Sequence, residues 1–153
     1  MSEVLVVKDK VQRTLTQVFN TVNVSELGFT VPYESTQCWV DFHVMNDPEV
    51  VARRKELDMP TITVSFWALI AQGARGSADM FEWIAVDGQM FNYGSVNAVK
   101  RDDGLFNVLF EYRIAGESCD PMEIKNAVIS VCTSADDLDE EFTKRFGGST
   151  FSS

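Results

Sequence analysis

The stretch from Asp120 to Gly148 constrains the fold more than any other, because both ends of a helix are written into it. Asp120 is placed to cap a first turn, Pro121 suits the first helical position, and Glu123 can close a capping box. Apolar residues then recur at Ile124, Val128, Val131, Ala135, Leu138 and Phe142. These steps of four and three place all six on one side of a long helix. Glu140 with Lys144 and Glu141 with Arg145 are i,i+4 pairs in the favourable order. Gly147-Gly148 supplies the stop, and residues 149–153 are expected to fray. Such a one-sided helix needs a broad apolar partner surface.

Upstream, the periodicity alternates between helical and extended. Val4, Val7, Val11, Leu15, Val18 and Val22 lie on one helical face, and Asn23 to Gly28 reads as its C-terminal break. Cys38, Val40, Phe42 and Val44 alternate with Trp39, Asp41 and His43, the pattern of a half-buried strand. Asp47-Pro48 opens a short helix over 49–58 that carries Arg53-Arg54-Lys55, and Met59-Pro60 closes it. Thr61 to Ala71 is a second strand: Ile62, Val64, Phe66, Ala68 and Ile70 share one face, and Thr61, Thr63, Ser65, Trp67 and Leu69 the other. Ser77 can cap a helix to about Asp87, ended by Gly88, with Met80, Phe81, Ile84 and Trp83 as its inward set. Residues 90–99 and 105–114 form a hairpin about the turn dipeptide Asp103-Gly104. The order is helix, two strands, helix, two strands, helix. This is an α+β fold, an antiparallel or mixed sheet packed by helices, in one domain over residues 1–148.

Charge and composition exclude several function classes. The 153 residues include 23 acidic and 13 basic side chains, a formal net charge of −10. Eleven of the acids fall in residues 102–141 against only Arg113 and Lys125. That field repels phosphate, so neither nucleic acid nor an anionic membrane is an expected partner. No apolar run approaches a bilayer span and no secretory leader is legible, so a cytoplasmic location is expected. Cys38, Cys119 and Cys132 are scattered, and His43 is the only histidine. No zinc pattern or nucleophile–histidine arrangement follows from such a set, and no phosphate loop or serine elbow is present. No catalytic residue, metal ligand or cofactor is assigned, and the chain is not expected to be an enzyme.

The C-terminal block carries a resemblance. Asp120, Pro121 and Glu123, followed by Ala135, Asp136, Leu138, Asp139, Arg145, Phe146, Gly147 and Gly148, resemble the last helix of the YbjN-like, type III secretion chaperone-like domains of actinobacteria. The likeness extends upstream through 61–70, 77–87 and 91–98, for a coverage of about residues 36–148. One departure is the insertion Pro48 to Met59, where the family joins its first two strands by a short turn. The resemblance implies a small, acidic, often dimeric protein that holds a partly unfolded client against apolar patches on helix and sheet.

Two function classes stay open on these grounds. One is a non-catalytic, chaperone-like module binding a protein or peptide client, with basic flanks favoured by the acidic last helix. The other is a structural or regulatory homodimer without a client groove. The residues that discriminate them are Trp39, Trp67 and Leu69, which interrupt an otherwise polar sheet face. Either helices cover them, or they form an apolar platform for a client.

Overall fold

Ile62–Ala74 is buried along nearly its whole length, which makes it the strand around which the molecule is built. The computed structural model describes residues 2–152. In chain order the elements are α1 (Glu3–Val18), β1 (Asn23–Val24), β2 (Gly28–Tyr33), β3 (Thr36–Val44), α2 (Pro48–Glu56), β4 (Ile62–Ala74), α3 (Ala78–Ala85), a 3-10 turn (Asp87–Gln89), β5 (Ser95–Lys100), β6 (Phe106–Ala115) and α4 (Pro121–Phe146). The strands form one antiparallel sheet in the order β1-β2-β3-β4-β6-β5. The fold is α+β, as the periodicity implies.

The register sorts the side chains. Val40 pairs with Phe66 and Phe66 with Tyr112, whereas Trp39 pairs with Trp67 and Trp67 with Glu111. Because neighbours along a strand point to opposite faces, Val40, Val64, Phe66, Ala68, Ile70 and Phe110 enter the core together. Helix α4 covers that core with Ile124, Ala127, Val128, Val131, Cys132, Ala135 and Phe142. Helix α1 adds Val7, Val11 and Leu15. Helix α3 packs Trp83 edge-on to Phe142, with ring centroids 5.4 Å apart. All three helices lie on this one face.

Local signals set the ends of α2, α3 and α4. Asp47 caps α2 with Pro48 in its first turn, Ser77 caps α3, and Asp120 with Glu123 makes both halves of the capping box of α4. The hairpin turn holds Gly104 at φ +84, the left-handed conformation that glycine adopts without strain. The inserted α2 leaves the β3–β4 hairpin intact. Trp39↔Trp67 runs in unbroken register to Val44↔Ile62, and Met45 N–H continues the ladder to the Thr61 carbonyl.

Several expectations are corrected. Helix α1 stops at Val18, and the supposed break holds the two-residue β1 and leads into β2. Gly28 there is a strand residue paired with Asp41, and only glycine fits, because a Cβ would lie 1.9 Å from the Val40 carbonyl oxygen. Strand β4 runs on to Ala74 through two register shifts, and residues 90–94 precede β5 rather than belonging to it. Phe81 is exposed and meets Phe106 edge-on, while Leu138 is only half-buried. Thr61 and Ser65, placed on the wet face by pattern, are buried by bonds to Glu117 and Glu111.

Candidate functional site

Since the helices share one face, the other face of the sheet is left to its own side chains. Trp39 and Trp67, directly opposite one another on β3 and β4, stack face to face with centroids 4.5 Å apart and planes 10° from parallel. Both are half-buried. The Trp67 indole N–H donates to Asp41 Oδ2 at 2.9 Å, which fixes the ring. On the far side of Trp67 a groove of about 270 Å³ opens, lined entirely by strand residues. Leu69 and Leu109, cross-strand partners on β4 and β6, line it together with Val99.

The groove's polar rim is partly neutralised. Asp41, Glu111, Arg113 and His43 all line it. The Glu111 carboxylate accepts from Arg113 Nε at 3.0 Å through one oxygen and from Ser65 Oγ at 2.8 Å through the other. Two carboxylates stand against one guanidinium on this rim. An apolar floor with an acidic rim suits an apolar anchor residue flanked by cationic side chains.

The three residues singled out from sequence therefore meet on one surface, but in different roles. Trp67 and Leu69 line the groove, Leu69 being nearly buried at 8% exposure. Trp39 lies behind Trp67, outside the groove, with Phe151 edge-on against it at 5.5 Å. Leu109 and Val99, which also line the groove, are not singled out by the sequence; alternation puts Leu109 on a face, and only register places it beside Leu69. No periodic signal points to Phe151. The acidic run of α4 lies across the sheet from this surface, so the groove's negative rim comes from Asp41 and Glu111 instead. There Asp136 accepts from Ser35 Oγ, and burial together with neighbouring carboxylates raises the pKa of Asp139.

The thiols belong to the packing. Cys38, Cys119 and Cys132 are free and buried, and burial together with the neighbouring Cys132 pushes the Cys38 thiol well up. Among the described residues, no cluster of His, Cys, Asp or Glu is arranged to hold a metal ion, and no helix is long and apolar enough to cross a membrane.

A family model described as "T3SS (YopN, CesT) and YbjN peptide-binding chaperone 1" matches residues 6–153. The chain belongs to this family. Among solved structures, this chaperone-family chain is similar to the Yersinia pestis type III secretion chaperone SycH, solved in complex with a stable fragment of YscM2. The two share 11% identity with a TM-score of 0.51, over 86% of this chain and 98% of that one. At that identity the likeness establishes the fold. Nothing among the curated proteins matches the sequence. The matched range contains α2, beside which the β3–β4 register is unbroken.

Proposed function

We propose that this chain is a non-catalytic, chaperone-like module that binds an unfolded peptide segment on the helix-free face of its sheet. The observation that carries the reading is the Trp39–Trp67 stack beside a groove floored by Leu69 and Leu109, in a chain of a peptide-binding chaperone family. The stacked indoles offer flat apolar area held in place before any ligand arrives, which lowers the ordering cost of binding. The client that fits is an extended segment with an aromatic or aliphatic anchor and basic flanks, matched to Asp41, Glu111 and a chain of net charge −10. Pairing of two copies belongs to the same proposal, with the groove left accessible in the pair. Light scattering at tens of micromolar is then expected to give about twice the 17.2 kDa of one chain.

The test is a panel of fluorescein-labelled twelve-residue peptides with a central Phe-X-Phe, flanked by Lys or by Glu. Lys-flanked members are expected to bind by anisotropy, and Trp67→Ala to weaken them about tenfold or more, as loss of an aromatic anchor does. Far-UV dichroism should be unchanged. If Trp67→Ala leaves the affinities as they were, the platform is not the binding surface. A homodimer that binds no panel member is what the regulatory alternative expects.

A further inference from the structure

Strand β3 pairs with β4 only as far as Trp67, yet β4 continues to Ala74. Part of that remaining edge is taken by the chain's own segment after α4. Ser149 N–H donates to the Gln72 carbonyl at 2.9 Å and Gln72 N–H to the Ser149 carbonyl at 2.7 Å, the reciprocal exchange of an antiparallel bridge. Gln72 Nε2 also donates to the Thr150 carbonyl at 3.3 Å. Gly148 makes the approach possible. A Cβ there would stand 2.9 Å from the Gln72 carbonyl oxygen and 3.2 Å from the Ala74 nitrogen, at a φ of +85. Two residues past the bridge, Phe151 meets the Trp39 ring at 85°, an edge-to-face geometry that aromatic pairs favour.

We propose that Ser149–Phe151 is the resting occupant of the aromatic platform, and that a client's aromatic residue reaches Trp39 by displacing Phe151. The shielding of Trp39 stands on the geometry alone, while the identity of what replaces Phe151 rests on the client reading above. The occupant suits release. Ser149 is exposed and Phe151 only half-buried, and among the described residues the segment meets the sheet through the Gln72 bonds and the Trp39 ring. A platform covered for most of the time binds a competitor more weakly in proportion to the uncovered fraction. The segment therefore sets a threshold: clients bearing an aromatic side chain at the Trp39 position compete, and those filling only the Leu69 groove do not.

The experiment uses the full chain and its Phe151→Ala variant. Its first arm needs no client. In a Trp83→Phe background, which removes the helix-side indole, acrylamide quenching of the remaining emission should rise on Phe151→Ala. Hydrogen exchange at the Gln72 amide, measured without the Trp83 change, should accelerate. If quenching and exchange are both unchanged, the shielding is absent and the proposal is overturned. In the second arm a Lys-flanked Phe-X-Phe peptide should bind Phe151→Ala about tenfold more tightly than wild type, ~1.4 kcal/mol. Equal affinity overturns the competition. Binding to neither chain sinks the client reading, and with it the competition, while the first arm still decides the shielding.

Discussion

Phe66 and Trp67 are adjacent in the chain and opposite in circumstance. Phe66 is wholly buried between sheet and helices, whereas Trp67 is half-buried on the face that no helix covers. Phe66→Ala is expected to cost about 3–5 kcal/mol, through lost burial and the cavity it leaves. Trp67→Ala gives up one stacked ring and one hydrogen bond, about 1–2 kcal/mol. Urea denaturation of the two variants measures the difference, and equal costs would place Trp67 in the core. The same logic separates two residues of one helical stripe. Ile124→Ala should cost about 2–5 kcal/mol, and Leu138→Ala, already half in solvent, less than about 2 kcal/mol. Residue by residue, alternation made legible which side chains share a face. Which face the helices would choose was not legible, because both faces of β4 turn apolar near Trp67 and Leu69.

At the scale of elements, what could be read depended on how local the cause is. Caps act within four residues, so Asp47, Ser77 and Asp120 were readable and are observed capping. Strand β2 was not readable. Its Pro32 argues against a strand in isolation and is tolerated here because it is exposed and lies past the end of the short pairing with β1, which stops at Thr30. A further junction escaped the sequence altogether. The Glu117 carboxylate accepts from Thr61 N–H at 2.7 Å, Thr61 Oγ1 at 3.1 Å and Ile62 N–H at 3.2 Å, tying the β6–α4 loop to the start of β4. Partial burial opposes its ionisation, but these donors outweigh that and lower its pKa. A carboxylate with a depressed folded pKa stabilises the protein above its unfolded pKa, and that contribution is lost as pH falls through the folded value. Glu117→Gln should therefore lower the melting temperature at pH 7, with the gap to wild type closing below about pH 4. A gap that persists in acid would assign the effect to packing.

For the whole molecule, the β5–β6 hairpin and the helix-on-sheet class were accessible from sequence, and so was the family, while an antiparallel or a mixed sheet both stayed open. The path of the chain after α4 was not, since it depends on an edge of β4 that only the assembled sheet exposes. Helix α2 has the opposite character, with no buried residue. Among the described residues, its side chains reach out through the Arg54 Nε bond to the Pro60 carbonyl and an exposed Lys55–Glu3 ion pair. Exposed pairs of that kind are worth at most about 1 kcal/mol, and shortening a surface connection lowers its closure entropy. Replacing residues 46–60 with a tight Asn-Gly turn should thus shift the melting temperature by no more than about 4 °C in differential scanning calorimetry. A larger fall would mean that α2 braces the sheet end. For engineering, the hairpin tip is a splice point: a fluorescent reporter or affinity handle grafted there would lie at the end of the sheet, leaving both of its faces unaltered.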